Sequence, residues 1–534
     1  MTAASAHPAP VQPIPAQAAP AAQTTRPYVA ILGVLLGSVI ATLSGRLTTF
    51  GLADVRGAVG AGFDEGSWIT TASTVGQMAI TFPAVWLGAA FGPRRVLLWA
   101  AGTFALASLA LPFSLSLDGI LFWQVVGGLS SGAFIPLTIS FVLRNLPARL
   151  AAYGVAAYAM NSELSQNVAA SLEGWFVDHL SWRWIFWSNA ALVAPMMLCI
   201  LLGIPREKAN RAMLAAPDPW GMAFASAGFA MLYAALDQGD RLDWLNSGLI
   251  VGLLLGSALM VAAFIMHEAL SARPAVNLQF LLHGNLPLLG LLLVLFRLMV
   301  LSTAYLVPQY LTTVQGFRAL QTGEVLLWIA LPQLILAPLI GALLRFLDAR
   351  LLLALGFALI AAACFLAGGL TRDWSGGDFL PSQVIQAVGQ SFGLTALVFF
   401  ATRHLVPSEA LSFGAFIQTT RMLGGELGVG FMQTFVRVRE QVQSNLLGLH
   451  VEAGAHLTDA RLQGYATSLS GRSLGQAEAN ARAAGLLARA VRAQANVLAY
   501  VDGFVLLGWA GIACILILLL LRAAPGARVE SAPT

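Results

Sequence analysis

The sequence predicts an all-α membrane protein with fourteen transmembrane helices, and three observations support this fold class. Of the 534 residues, 58% are hydrophobic and only 10% are charged, against roughly 25% charged residues in soluble domains. A soluble chain of this length could not bury so much apolar surface. The apolar residues also form separate runs of ~20 residues, the length that crosses a bilayer. Finally, the arginines favour one side of these runs.

Fourteen apolar runs follow one another along the chain, and each can span a bilayer as a helix. Their even number places both termini on the same side of the membrane. The predicted spans are residues 29–53, 67–90, 96–113, 118–142, 151–176, 184–204, 219–237, 247–267, 284–311, 323–344, 350–370, 382–402, 412–436 and 499–522.

The basic residues decide which side is cytoplasmic, because short inner loops are enriched in arginine and lysine. With the N-terminus inside, the inner tails and loops hold fourteen basic residues, whereas the short outer loops hold five. We therefore predict that both termini face the cytoplasm. The inner residues are Arg26, Arg94, Arg95, Arg144, Arg149, Arg206, Lys208, Arg211, Arg273, Arg345, Arg350, Arg403, Arg522 and Arg528. The outer residues are Arg56, Arg183, Arg241, Arg318 and Arg372.

Two polar tails flank the predicted membrane region. Residues 1–27 are rich in alanine and proline, with no apolar core and no basic residue before Arg26. This composition predicts a disordered cytoplasmic tail and not a cleavable signal peptide. Residues 523–534 form the second cytoplasmic tail.

The composition also disfavours several classes of function. The cysteines, Cys199, Cys364 and Cys514, lie inside apolar runs and predict neither a disulfide framework nor a metal site. The seven histidines are scattered, and no Ser/His/Asp set or phosphate-binding glycine loop is visible. The run "GGLSSG" at 127–132 is better explained as small residues that let helices approach closely. We therefore expect no enzyme, cofactor, metal or nucleic-acid partner.

One outer connection is long. Residues 437–498, between the last two spans, are polar and carry seven arginines, and loops of this length are exempt from the charge rule. Part of this segment predicts an amphipathic helix that runs into the last span. Two roles are open for it, packing against its own neighbour in a helical hairpin or docking of another protein. Its predicted face consists of Ala484, Leu487, Ala488, Val491, Ala495 and Leu498.

Six charged residues lie inside the predicted spans. An ionised group at the centre of a bilayer costs at least ~2.5–3.5 kcal/mol, so each needs a partner or a function. Two alternatives are open: fixed ion pairs that lock helices together, or side chains that face a cavity and bind substrate or protons. The six are the arginines Arg46, Arg297 and Arg421 and the glutamates Glu163, Glu173 and Glu426.

The glutamates are candidates for proton coupling. Glu163 lies near the middle of the fifth span, and Glu426 near the middle of the thirteenth. A buried carboxyl group beside arginines can gain or lose a proton as its surroundings change, which is what proton coupling requires. Glu163 is the first candidate. Glu173 lies close to the outer end of its span, where we expect it to be hydrated.

Four stretches carry a resemblance to a known family. "FDEGSWITTASTVGQMAI" leads into the second span, "LDQGDRLDWLNS" at 236–247 joins the seventh and eighth, "LVPQYLTTVQGFRALQTG" at 306–323 leaves the ninth, and "RMLGGELGVG" at 421–430 lies in the thirteenth. Together they resemble the EmrB/QacA branch of the major facilitator superfamily, the fourteen-helix drug/proton antiporters, and especially its EmrB subgroup. The resemblance covers roughly residues 28–522, and the segment 437–498 lies where EmrB-like proteins have their long loop.

The resemblance implies a major facilitator fold with two six-helix bundles, residues 28–204 and 284–522, and two inserted helices within residues 205–283. It also implies a central cavity that opens to each side of the membrane in turn, with the substrate near the midplane. It further implies protons as the coupling ion, a periplasmic adaptor like EmrA and an outer-membrane channel like TolC.

The usual charges of that family are only partly present. Ser44 stands where the first helix usually carries an aspartate, and Arg46 follows two residues later. Gln124 stands where the fourth helix usually has an arginine. The fifth-helix motif, usually GPxxGG, reads "AASLEG" and keeps only Gly174, with Glu173 added. The proton-coupling residues of the family therefore cannot be carried over directly.

The loop after the second span, "LGAAFGPRRVLL", resembles the conformational-switch loop of the family. It keeps Gly92, Arg94 and Arg95, and it has Ala89 where an aspartate is usual.

Arg46 and Gln124 lie at similar depths below the outer ends of the first and fourth spans. In this superfamily those two helices line the same side of the N-terminal half, so we infer that Arg46 replaces the missing fourth-helix arginine. An arginine in a largely apolar pocket suits a carboxylate or phenolate better than a cation. Arg297 and Arg421 are further candidates for the cavity.

The sequence thus predicts a proton-coupled efflux transporter of the bacterial inner membrane. Its substrates would be hydrophobic or amphiphilic compounds, such as drugs or organic weak acids, and it would form the inner-membrane part of a tripartite pump. The alternative is a carrier on the same fold that takes up organic anions, because a fold does not determine the direction of transport.

The predicted topology can be tested with reporter fusions. Fusions within residues 205–218 and 403–411 should report a cytoplasmic location, and one within residues 450–480 a periplasmic location, because short inner loops retain their arginines. A cytoplasmic signal from residues 450–480 would contradict the fourteen-helix topology.

Overall fold

The computed structural model describes residues 26–145, 148–215, 218–271, 284–403, 410–452, 454–470 and 476–521. All regular secondary structure within these ranges is helical, which confirms the all-α prediction. The predicted tails, residues 1–27 and 523–534, lie outside the described residues except for residues 26 and 27.

Long helices lie at all fourteen predicted positions. They are α1 (Pro27–Phe50), α2 (Phe63–Phe91), α3 (Pro93–Phe113), α4 (Leu117–Val142), α5 (Ala148–His179), α6 (Trp184–Gly203), α7 (Pro219–Gly239), α8 (Gly248–Leu270), α9 (Leu286–Thr313), α10 (Ala319–Phe346), α11 (Ala349–Ala367), α12 (Gly376–Thr402), α13 (Ala410–Gly448) and α14 (Gln476–Leu518). Twelve of these helices, all but α5 and α13, are apolar enough in their described residues to cross a membrane. We call the side on which α1 begins the inner side, following the predicted orientation.

The helices of each half pack mainly on one another. In the first half α1 contacts α4, α5 and α6, and α2 lies against α4. In the second half α11 contacts α12 and α14, and α9 lies against α13. The largest apolar cluster nevertheless includes residues of both halves, such as Phe134 and Phe296. The division into bundles at residues 28–204 and 284–522 stays a prediction.

The inserted helices α7 and α8 form a pair that contacts both halves. They pack on each other, and α7 also lies against α2 of the first half and α13 of the second. The ring of Phe82 on α2 stacks on Phe229 of α7 with centroids 5.3 Å apart, and it meets Phe264 of α8 at 5.6 Å. The pair is therefore attached to the two halves mainly through α7.

The two halves are in close contact near both sides of the membrane. A Cβ atom on Gly174, near the outer end of α5, would lie 2.4 Å from the backbone nitrogen of Leu320 on α10. Near the inner end of α10, a Cβ atom on Gly341 would lie 2.6 Å from Cδ1 of Tyr153 on α5. Helices in membranes approach closely where such small residues face each other. The contact between α5 and α10 thus extends from the outer end to the inner end of these helices. The two halves are therefore closed against each other near both sides of the membrane.

Most described residues of the long outer segment are helical, whereas the sequence predicted a helix only in its last part. The helix α13 continues to Gly448, and a short helix follows at His456–Ser470. Nη2 of Arg439 lies 2.7 Å from Oδ2 of Asp502, and this ion pair joins the extension of α13 to α14. We call residues 437–498 the outer hairpin.

The predicted face of the outer hairpin is only partly exposed. Ala484 and Ala488 are exposed, and Ala479 and Ala483 are buried instead. The other residues of the predicted face are buried or partly buried: Leu487, Val491, Ala495 and Leu498. The short helix packs against α14. Periodicity alone could not decide which alanines of α14 are buried.

Candidate functional site

Charged side chains from both halves meet between the helices. Glu163 of α5 is only 1% exposed, and its Oε1 atom lies 3.5 Å from Nη1 of Arg297 on α9. Arg421 of α13 and Arg46 of α1 are also within electrostatic range of this carboxylate. One guanidinium group therefore contacts this carboxylate, and two more interact with it electrostatically. We call these four residues the cationic cluster.

One face of α5 anchors the two arginines of the second half. Nη2 of Arg297 donates a hydrogen bond to Oε1 of Gln166 at 3.4 Å, and Nη1 of Arg421 donates to Oγ of Ser162 at 3.1 Å. These partners lie on either side of Glu163, about one helical turn apart. Both carboxylate oxygens of Glu163 and the Nε atom of Arg297 are buried and make no hydrogen bond to any described residue. A bound molecule could satisfy such groups.

Arg46 points across the interface between the halves. Its Nη2 atom lies 3.5 Å from the carbonyl oxygen of Ala304, in a π-helical turn of α9, and its guanidinium lies 5.9 Å from the ring centre of Phe50. Gln124 is buried on α4, and no hydrogen bond joins it to Arg46 among the described residues. The depth of these residues was predictable from sequence, whereas the direction of a long arginine side chain depends on how the halves pack.

A second group of polar residues surrounds Glu426, which is 8% exposed on α13. The hydroxyl of Tyr233 on α7 donates a hydrogen bond to Oε2 of Glu426 at 2.6 Å. Asp237, one turn further along α7, interacts electrostatically with Glu426. We call Tyr233, Asp237 and Glu426 the acidic cluster. Arg46 is within electrostatic range of both Glu163 and Glu426, so it links the two clusters.

Asp237 and Tyr233 were not predicted from the sequence. Asp237 lies two residues before the end of α7, where a charge is ordinary, and a tyrosine inside a span carries no formal charge. The string "LDQGDRLDWLNS" at 236–247 was the available signal. This string resembles the family in the inserted pair, and it contains an aspartate, Asp237, that lies within α7.

Glu173 lies apart from both clusters, near the outer ends of α1 and α5. The carboxyl group of Glu173 packs against Gly51, the residue that follows α1. A Cβ atom at this position would lie 3.1 Å from Oε1 of Glu173, so glycine leaves the room that the carboxyl group occupies. The residue is 1% exposed, and the expectation that it is hydrated was therefore wrong. Its charged neighbours, Asp54 and Asp178, are themselves acidic.

The loop between α2 and α3 is fastened to the segment that leaves α6. Gly92 has a φ of +85°, a conformation that favours glycine, and it separates the two helices. Nη1 of Arg94 donates a hydrogen bond to the carbonyl oxygen of Ile204 at 2.9 Å, whereas Arg95 is exposed. A Cβ atom on Gly92 would lie 3.1 Å from Cβ of Glu207. The role of this loop as a conformational switch stays a prediction.

Two helical halves that enclose buried charges from facing helices are typical of multi-pass membrane transporters. The chain belongs to the Major Facilitator Superfamily, whose family model matches residues 34–429.

Similar proteins support this assignment. The chain is 27% identical over 415 residues to the multidrug export protein EmrB of Escherichia coli, covering 77% of this chain and 80% of that one. It is 24% identical over 425 residues to the fatty acid resistance protein FarB of Neisseria gonorrhoeae, covering 79% and 83%. The solved structure of the proton:xylose symporter XylE matches with a TM-score of 0.55 and 13% identity, covering 92% and 95%. The predicted fold and the resemblance to EmrB-like proteins are thus confirmed.

The ion pair at the centre of the cationic cluster can be tested by thermal unfolding of the purified protein in detergent. We expect Glu163→Gln and Arg297→Gln each to be strongly destabilising, with a loss of ~3–5 kcal/mol for a buried charge without its partner. Glu163→Gln should cost more, because it leaves three guanidinium groups without a carboxylate. The double variant should recover part of the loss, as residues in contact do.

The matched control combines Arg297→Gln with Glu173→Gln, which replaces a buried carboxyl group of the same helix that lies outside the cluster. The two losses should then add, as is usual for distant sites. Strictly additive losses for Glu163 and Arg297 would contradict a stabilising ion pair between them.

Proposed function

We propose that this protein is a proton-coupled efflux transporter of the bacterial inner membrane that exports hydrophobic or amphiphilic compounds, organic weak acids among them. One observation carries the proposal. The buried carboxylate of Glu163 pairs with Arg297 of the other half at 3.5 Å and interacts electrostatically with two further guanidinium groups, one from each half.

The charge balance of the cationic cluster favours an anionic substrate. Glu163 offsets only one of three positive charges, and the Nε atoms of Arg297 and Arg421 are buried with no hydrogen-bond partner in the described chain. A carboxylate or phenolate would both neutralise charge and accept these hydrogen bonds, since the guanidinium fork matches such groups. FarB, a relative of this chain, is named for resistance to fatty acids, which are amphiphilic carboxylates.

The position of Glu163 supports proton coupling. Its nearest cation, Arg297, belongs to the other half of the molecule, at 3.5 Å. When the halves separate on one side, this ion pair opens and the carboxyl group meets water. Protonation of Glu163 then favours the separated state, because the protonated group no longer attracts the arginine. Such a differential preference for one conformation is what couples a ligand to a conformational change. Glu426 is the second candidate.

All fourteen helices, including α5 and α13, cross the membrane in this proposal, with both termini in the cytoplasm. The charged residues of α5 and α13 do not argue against this, because these helices are surrounded by protein. The helix α5 contacts α1, α10 and α12, and α13 contacts α4, α9 and α14. Charged residues within spans characteristically face such a protein interior and not the lipid.

The outer hairpin supports a role for a periplasmic partner. On the extension of α13, Val438, Val442, Leu446 and Leu449 are exposed and recur at the spacing of one helical face. An exposed apolar stripe of this kind is typical of a protein contact. We therefore propose that an EmrA-like adaptor docks here and passes the substrate to a TolC-like outer-membrane channel. EmrB, a relative of this chain, is named as an export protein.

Uptake of organic anions is the second candidate, because the cationic cluster would serve it equally well. A deletion strain separates the two directions. Greater sensitivity of that strain to fatty acids supports export, whereas lower sensitivity supports uptake.

Substrate preference can be measured in proteoliposomes with an imposed pH gradient, with a fluorescent bile acid as the anionic probe and ethidium as the cationic probe. We expect Arg421→Gln to reduce bile-acid flux far more than ethidium flux, because it removes a guanidinium from the site. Arg421→Lys keeps the charge but not the fork of donors and should recover only part of the flux. Arg345→Gln, an equal charge change at the exposed inner end of α10, should leave both fluxes unchanged.

Equal losses for both probes in Arg421→Gln would contradict an anion-binding role for the cluster.

Proton coupling is tested in the same vesicles with the double variant Glu163→Gln/Arg297→Gln. Recovered stability without pH-driven flux supports coupling through Glu163, and recovery of both would leave this pair with a structural role alone.

The docking surface can be tested by replacing Val442, Leu446 and Leu449 with serine. We expect the variant to insert and to transport in proteoliposomes but to lose resistance in cells, because only the cell requires the adaptor. Alanine replacements of the exposed neighbours Gln441 and Asn445 are the matched control and should keep resistance. Full resistance in the serine variant would favour packing within the hairpin as its sole role.

A further inference from the structure

The inserted helix α7 supplies polar side chains to a contact with both halves. Tyr233 donates its hydroxyl proton to Oε2 of Glu426 on α13 at 2.6 Å. One turn later, Asp237 lies between Glu426 and α2, where the hydroxyl of Thr71 donates to Oδ2 of Asp237. The side-chain amide of Gln238 donates to the same oxygen at 3.0 Å. The inserted pair is thus joined to both halves by hydrogen bonds as well as by apolar packing.

The carboxyl groups of Asp237 and Glu426 lie close together, because Tyr233, which donates to Glu426 at 2.6 Å, precedes Asp237 by one turn of α7, and the two carboxyl groups interact electrostatically. An ionised carboxylate can only accept hydrogen bonds, so the two groups can bond to each other only when one of them is protonated. Two negative charges in contact away from water would also repel each other strongly. The pair therefore holds one proton, as do the paired aspartates of an aspartic protease.

We propose that Asp237 and Glu426 form a carboxyl pair that binds one exchangeable proton, and that the inserted helix α7 takes a direct part in proton coupling. This inference rests on the proposed proton-coupled transport and assigns to it a residue, Asp237, outside the two six-helix bundles.

The surrounding donors decide which member of the pair is ionised. Two donors, Thr71 and Gln238, are directed at one oxygen of Asp237, whereas Glu426 receives a hydrogen bond from Tyr233. Hydrogen bonds to the ionised form of an acid stabilise that form. Asp237 is therefore the ionised member, and Glu426 carries the proton and donates it to Asp237.

The positive charge of Arg46 can stabilise the pair after it loses its proton. Arg46 is within electrostatic range of Glu426, and its Nε atom is buried without a hydrogen-bond partner among the described residues. It can therefore offset part of the second negative charge. The groups that face the pair and its tyrosine are Arg46 of α1, Thr71 and Thr74 of α2, Tyr233 and Gln238 of α7, Arg241 just after α7, and Arg297 of α9.

A continuous series of polar side chains connects the pair with the outer surface. Gln238 donates to Oγ1 of Thr71 at 2.6 Å, and its own carbonyl oxygen accepts from Ser67 at 3.1 Å and from Arg241 at 2.7 Å. Arg241 in turn pairs at 2.8 Å with Asp64, whose side chain is 81% exposed. Asp237 lies at the inner end of this series, so water can reach the pair along α2 and α7 when the outer side opens.

The proton step needs only water on the two sides of the membrane. With the outer side open, hydronium gives its proton to Glu426, and a new O–H bond forms there. With the inner side open, that O–H bond breaks and the proton passes to water, which leaves two carboxylates beside Arg46. The proton moves inward as the substrate moves outward, and no group is oxidised or reduced.

The pair can be tested without any substrate, by infrared spectroscopy of the full-length protein in lipid vesicles. The wild-type protein should show the carbonyl band of a protonated carboxyl group at neutral pH. We expect Glu426→Gln to abolish this band and Asp237→Asn to shift it, because an amide replaces the carboxylate that accepts the proton. Asp240→Asn replaces an acidic residue just after the end of α7 that pairs with Arg437 instead, and it should leave the band unchanged. An identical band in Asp237→Asn would overturn the proposal.

Transport measurements separate this inference from the proposed function. In vesicles loaded with the fluorescent bile acid, Asp237→Asn, Glu426→Gln and their double variant should lose pH-driven flux to the same extent, because they disable one unit. All three should still exchange probe without a gradient, and Asp237→Glu should regain flux. Full pH-driven flux in Asp237→Asn would defeat the inference and leave the proposed function standing. A wild type without pH-driven flux would count against the proposed function, and the infrared band alone would then decide whether the pair exists.

Discussion

A charged side chain inside the membrane must find its neutralising partner within the protein, because lipid supplies none. In this structure that partner is usually on another helix and often in the other half of the molecule. Glu163 of the first half faces Arg297 of the second at 3.5 Å, and Arg421 of the second half donates to Ser162 of the first. Neutralising these charges and closing the two halves are therefore the same physical event, and separation of the halves must expose the charges to water or to a bound molecule.

The buried charges are divided unevenly, and the division gives each cluster a distinct chemistry. The cationic cluster has more arginines than carboxylates and is suited to an anion. The acidic cluster has more carboxyl groups than cations and is suited to a proton. Arg46 interacts electrostatically with Glu163 in one cluster and with Glu426 in the other. A change of charge in either cluster is therefore felt in the second, without any need for direct contact between substrate and proton.

The inserted helices are part of this arrangement. The helix α7 packs between α2 and α13, which belong to different halves, and it carries both apolar and polar contacts to them. Any motion that separates α2 from α13 must disturb these contacts. The side chains that join α7 to α13, Tyr233 and Asp237, are the ones that surround Glu426. This placement gives the inserted pair a physical connection to the proposed proton site.

The sequence by itself determined the number and order of the long helices, the family and the identity of the charges inside the spans. These properties depend on local composition, since hydrophobicity over about twenty residues decides whether a segment can span a bilayer. Only the tertiary structure decided that Glu163 pairs with Arg297, that Arg46 points to α9, that Glu173 is buried and that Asp237 joins Glu426. Partners of this kind lie far apart along the chain, and the reach of a long side chain depends on which neighbouring helix leaves room for it, so no local pattern records them.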